Sequence, residues 1–73
     1  MKYTILVEHG RESGYVAKCP ALPGCVSQGA TKREAMRNIR EAIEVYVAAL
    51  LEDGVPVPRE AGKELVELDV ITR

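Results

Sequence analysis

The chain opens with Tyr3-Thr4-Ile5-Leu6-Val7, rich in β-branched and aromatic side chains, and passes at once into the turn-like His9-Gly10-Arg11-Glu12-Ser13-Gly14. Tyr3 to Val7 is therefore predicted as a strand. Tyr15 to Cys19 supplies its hairpin partner and is ended by Pro20, whose missing N–H cannot extend an interior ladder. After the Pro20 to Gly24 loop, Cys25 to Gln28 reads as a third strand ending at Gly29. The spacing then changes from two to three and four: Ala35, Ile39, Ala42, Ile43, Tyr46 and Leu50 form one apolar stripe, with Arg37, Arg40, Glu41 and Glu44 on the other side. Thr31-Lys32-Arg33-Glu34 has the form of a capping box, which starts this helix at Lys32. Gly54 suits its C-terminus, Pro56 and Pro58 prevent resumption, and an extended linker runs to residue 63. From Glu64 to Ile71 the period returns to two, with Val66, Leu68 and Val70 on one face and Glu67 and Asp69 on the other, which predicts a fourth strand.

This order predicts an α+β fold, a β-β-β-α-β two-layer sandwich forming one domain over residues 1–73. A right-handed crossover places the last strand parallel to the third and beside the first, giving a mixed four-stranded sheet of order 3-2-1-4 with one long helix on one face. A helix of about 22 residues spans roughly 33 Å, whereas strands of about seven residues reach roughly 23 Å. The helix must overhang the sheet. Its last turns carry Val45-Tyr46-Val47-Ala48-Ala49-Leu50-Leu51, which is apolar all round and cannot face one sheet alone. Val45, Tyr46, Val47, Leu50 and Leu51 are accordingly the expected contact of a homo-oligomer, a dimer or larger.

Size points the same way. An 8.0 kDa chain is expected to expose roughly 4,400 Å² when folded, burying only about 60% of its unfolded surface, and so small a core commonly needs a disulfide, a metal or a partner. Cys19 and Cys25 are the only cysteines and His9 the only histidine, too few ligands for a closed zinc site. Met1-Lys2 leads straight into the first strand, without the apolar region of a signal peptide or the length of a membrane span. The expected location is the cytoplasm, where the two thiols stay reduced and pack as small apolar side chains. No cofactor or metal is expected.

The net charge of −1 conceals an asymmetry: residues 1–40 hold seven basic and three acidic side chains, net +4, and residues 41–73 three basic and eight acidic, net −5. With only Tyr3, Tyr15 and Tyr46 as aromatics, the basic half lacks the interleaved cluster of a nucleic-acid binder, and no direct nucleic-acid contact is expected. The acidic half suits either a basic protein partner or a solvated surface.

Gly14-Tyr15-Val16, then Pro20-x-Leu22-Pro23-Gly24-Cys25-Val26-x-Gln28-Gly29-x-Thr31, then Glu34-Ala35 and Glu41-Ala42-Ile43, resemble the N-terminal domain of HicB-family antitoxins over nearly the whole chain. The resemblance implies a partial ribonuclease-H-like fold and a non-catalytic module that binds and occludes a small, basic, RNA-cleaving toxin of the HicA type. Typical members continue into a helix-turn-helix or ribbon-helix-helix DNA-binding domain. This chain stops at Arg73, so the operator-binding role is not expected of it. Candidate partner-binding residues are Leu22 and Pro23 in the stiffened loop and Glu60, Glu64, Glu67 and Asp69 around the fourth strand. Asn38, a poor helix former in mid-helix, is expected to hold a neighbouring loop group.

A ribonuclease-H-like fold raises the alternative of a degenerate metal-dependent nuclease, with Glu8, Glu41, Glu44 and Asp69 as its carboxylates. Glu41 and Glu44 lie opposite the apolar stripe, however, and Ser13, Ser27, Thr4 and Thr72 have no base at a motif spacing, so catalysis is not expected. The remaining alternative is a solitary self-assembling domain without a toxin partner.

Overall fold

The computed structural model describes residues 1–60, 64 and 66–72. Its elements are β1 (Leu6–His9), β2 (Tyr15–Lys18), β3 (Val26–Gly29) and α1 (Lys32–Glu52). The strands form an antiparallel meander in the order β1-β2-β3. Val7 stands opposite Ala17, which stands opposite Ser27, so these residues share one face of the sheet. The helix lies on that face.

Strand β1 begins three residues later than composition suggests and takes in polar Glu8 and His9. Pairing decides this: His9 faces Tyr15 across the ladder, their rings 4.9 Å apart, and the hairpin closes with Gly10 N–H donating to Gly14 O at 2.9 Å. The hairpin register overrides the weaker strand propensity of Glu8 and His9.

Both helix ends form as the residues predict. Thr31 is the N-cap, its hydroxyl accepting from the Glu34 N–H at 3.1 Å. The Glu34 carboxylate reaches back one residue further than a capping box requires and accepts from the Ala30 N–H at 3.4 Å. At the far end Gly54 has φ 68°, Val55 N–H donates to Leu50 O at 2.9 Å and Gly54 N–H to Leu51 O at 3.2 Å. This pair of bonds is the Schellman arrangement, which needs the left-handed residue that glycine supplies.

The core is small: Ala17, Cys19, Leu22, Cys25, Ala35 and Ile39 are buried, with Tyr3, Ile5, Tyr15, Ala42, Ile43, Tyr46 and Val47 packed around them. Ala35, Ile39, Ala42, Ile43 and Tyr46 all belong to the stripe read from the sequence. Close packing of helix on sheet depends on Gly29, where an added Cβ would stand 2.5 Å from the Ala35 nitrogen. The helix lies mainly over β3 and β2, so the inner face of β1 is the least covered.

The fourth strand is where sequence and structure part. Among the described residues the sheet has three strands, and Glu64 and residues 66–72 of the predicted strand belong to none of them; Leu65 lies outside the described residues. The order 3-2-1 is present without the further position 4. Alternation gives a segment one apolar face, but a strand also needs a backbone edge in register. Here the apolar face stays in water, with Leu68 81% and Val70 75% exposed. The chain exposes 6277 Å², about 1,800 Å² more than a compact monomer of its mass.

Candidate interaction surfaces

Three surfaces emerge: the loop between β2 and β3, the two flanks of α1, and the C-terminal segment.

The loop is rigid because its backbone is closed on itself. Cys19 N–H donates to Cys25 O, Leu22 N–H to Cys19 O and Cys25 N–H to Leu22 O, each at 3.0 Å. Leu22 is wholly buried and pins the loop from beneath, while Pro23 stands exposed at its tip. The two expected loop residues thus divide their roles, one holding and one presenting. Cys19 and Cys25 are free and buried on either side of Leu22. Burial pushes both thiols above their ordinary range, and the neighbouring Cys19 raises Cys25 further. Such thiols stay protonated and act as packing groups.

A tie to the helix fixes the loop tip: Tyr46 O–H donates to Pro23 O at 2.8 Å. Asn38 does the same for β3, its Nδ2 donating to Gln28 O at 2.7 Å. Between these two bonds Ser27, Asn38, Glu41, Ala42, Val45 and Tyr46 line a shallow depression of about 480 Å³. The structure therefore joins Pro23, expected at a partner contact, with Val45 and Tyr46, expected at an oligomer contact, in one surface. Nothing in the linear pattern joins these two groups. The available signal is Tyr46 itself, a tyrosine on a core stripe whose hydroxyl needs a partner. Val47 and Leu50 are half-buried, whereas Leu51 is 66% exposed on the overhanging end.

On the opposite flank a larger groove, about 890 Å³, runs between the N-terminal stretch and α1. Tyr3 and Ile5 form one side, Met36, Ile39 and Ile43 the other, and Lys2, Arg37, Arg40 and Glu44 stand at its rim. The linker after α1 is tied to its end. Tyr3 O–H donates to Pro58 O at 2.6 Å, and the Glu60 carboxylate accepts from both the Thr4 amide and the Thr4 hydroxyl, the latter at 2.8 Å. Glu60 is thus engaged as an anchor, while Glu64, Glu67 and Asp69 are exposed. Neither the Glu60 clamp nor the groove has a local signal in sequence, since the clamp joins residues more than fifty positions apart and the groove joins the N-terminal stretch to the helix.

The carboxylates of the nuclease alternative are scattered. Glu8 pairs with Lys18 at 3.1 Å on the open face of the sheet, Glu41 lines the depression and Glu44 the groove. Among the described residues no three His, Cys, Asp or Glu side chains are grouped to hold a metal ion, and no helix is long and apolar enough to cross a membrane.

The family model described as the HicB-like antitoxin of bacterial toxin-antitoxin systems matches residues 3–69, taking in the meander, the helix and the C-terminal segment. The chain belongs to the HicB-like antitoxin family. This HicB-like chain is 43% identical over 65 residues to a UPF0150 protein of Thermoplasma acidophilum, covering 89% of the chain and 94% of that relative. A UPF0150 protein of Synechocystis is 52% identical over 58 residues, 80% of the chain and 73% of the relative. Antitoxin HicB 1 of Photorhabdus laumondii is 29% identical over 70 residues, 93% of the chain but 45% of the longer protein. The family places the chain in the setting of toxin-antitoxin systems.

Proposed function

We propose that this HicB-like chain acts in the cytoplasm as one protein-binding domain over residues 1–73, covering a small basic RNA-cleaving toxin of the HicA type. The family match over residues 3–69 carries this reading. The proposed docking elements are the exposed Pro23 at its rigid loop tip and the exposed carboxylates Glu64, Glu67 and Asp69. Rigidity at Pro23 lowers the ordering cost of binding, and the carboxylates give a basic partner electrostatic attraction. Glu60, held by Thr4, fixes where the acidic segment begins. The partial ribonuclease-H-like architecture, with a fourth strand in the order 3-2-1-4, belongs to this reading as the form in which that segment is docked. No catalytic step is assigned to the chain.

Association kinetics with a HicA-type toxin test the proposal. Raising salt from low to physiological ionic strength is expected to slow the on-rate far more than the off-rate. Glu64→Lys combined with Glu67→Lys is expected to slow association in the same manner. A salt-independent on-rate, or a double variant that binds equally fast, would make these carboxylates a solvated face only.

A further inference from the structure

The outer edge of β3 is open, and α1 leaves a hollow beside it. Cys19 N–H donates to Cys25 O, Ala17 stands opposite Ser27 and Tyr15 opposite Gly29. The alternation of an antiparallel ladder therefore turns the backbone groups of Cys25, Ser27 and Gly29 toward β2, and those of Val26 and Gln28 away from the sheet. Asn38 confirms the direction, because its side chain reaches Gln28 O from the helix at 2.7 Å. Among the described residues no strand lies beyond β3, and the Val26 N–H, the Val26 carbonyl and the Gln28 N–H have no protein partner. Such an edge is a template for one more strand.

The depression between the Asn38 and Tyr46 bonds runs alongside this edge, since Ser27 is part of its wall. Ala42, Val45 and Tyr46 give it an apolar lining and Glu41 a carboxylate, and no basic side chain lines it. In an added strand, the residue paired with Val26 shares the open face of the sheet, while its neighbour opposite Ser27 shares the helix face and enters the depression. A lysine or arginine at that position lays its stem on Ala42 and on Val45, itself 70% exposed, and brings its charge to Glu41.

Charge decides among the occupants. A second copy pairing β3 with β3 about a two-fold axis brings the Glu41 side chains of both copies to one seam, with no cation in either depression to separate them. The C-terminal segment carries Glu64, Glu67 and Asp69 with no cation between residues 64 and 72, and repels Glu41 in the same way. A basic segment is attracted.

We infer that an extended segment of a basic partner protein adds as a strand to the outer edge of β3, bonding to Val26 and Gln28 and placing a lysine or arginine opposite Ser27 over Glu41. The partner is the basic toxin of the proposed function, on which this assignment rests. Pro23, tied to Tyr46, stands at the end of the same seam.

Amide exchange of the full chain with and without a HicA-type toxin tests the assignment. On binding, exchange at Val26 and Gln28 is expected to slow by on the order of tenfold or more. Val26→Pro removes an outward amide from an edge strand, where proline is tolerated, and Glu41→Lys reverses the charge in the depression. Each variant is expected to keep its helical circular dichroism and to bind the toxin more weakly, by on the order of tenfold or more. A toxin that binds while Val26 and Gln28 exchange as fast as in the free chain overturns the inference and leaves the toxin reading standing, as does a Glu41→Lys chain that binds as tightly as the wild type. Protection at Val26 that rises with protein concentration in the absence of toxin gives the edge to a second copy and also overturns it. A toxin that does not bind the wild type at all overturns the toxin reading itself, and this assignment with it.

Discussion

The meander with its helix and the C-terminal segment carry equally legible sequence patterns, yet they meet opposite fates. The body completes itself: each turn, cap and loop finds its partners within a few residues, and the stripe of α1 meets β2 and β3. The segment from Glu64 to Thr72 has as clean an alternation as any strand of the body, and its apolar side chains Val66, Leu68, Val70 and Ile71 remain in water. The difference teaches that a helix cap is a local contract, whereas a strand is half of a pair. Its other half is an edge whose position is set by distant residues, here by the bonds of Thr4 to Glu60 and of Tyr3 to Pro58.

The comparison is broken most severely from the body. Ile39 is the largest stripe residue that is fully buried, and Ile39→Ala is expected to cost about 2–5 kcal/mol, enough to unfold much of the population, as read by chemical denaturation. The same truncation at exposed Leu68 is expected to leave the folding of the body within about 0.5 kcal/mol when measured at a concentration low enough for single copies. Equal costs would mean that the segment belongs to the body's own core.

Gly29→Ala tests the helix–sheet contact. The new Cβ meets backbone rather than a movable side chain, so a loss of about 1–3 kcal/mol is expected, and an unchanged midpoint would show that the helix can shift without penalty. Thr31→Ala removes the capping acceptor, with an expected loss of about 0.5–2 kcal/mol at equal protein concentration. A midpoint unchanged within error would show that residue 31 does not cap the helix.

The smallest effect is on pH dependence. Cys19 and Cys25 have folded values raised above the ordinary thiol value of 9.0, chiefly by burial, and Tyr3 is raised in the same sense by burial. An acid whose folded value is raised contributes stability that is complete below its unfolded value and is lost as pH rises through the folded one. Stability is therefore expected to be level toward neutral pH and to fall on the alkaline side of 9.0, with a shallower fall in a Cys19→Ala, Cys25→Ala variant. Native thiols that react with a disulfide reagent as fast as denatured ones would contradict their burial.

Sequence alone determined what is decided within a few residues or by a period. It placed a turn before Gly14, though His9 belongs to β1 rather than to that turn, and it placed the start of the helix at Lys32, its end before Gly54 and the apolar stripe from Ala35 to Tyr46, because caps, turns and stripes depend on neighbours at fixed spacing. It also foresaw Asn38 holding a neighbouring backbone group, since an amide in mid-helix needs a use. Only the tertiary structure decided that β1 runs to His9, that Leu22 points inward beneath an exposed Pro23, and that Tyr46 binds the loop tip. The same holds for Glu60, expected among the partner-binding carboxylates, whose carboxylate accepts from the Thr4 amide and hydroxyl. These outcomes turn on register and on contacts between segments distant in the chain, where the free energy of pairing depends on where both segments are held rather than on what either contains.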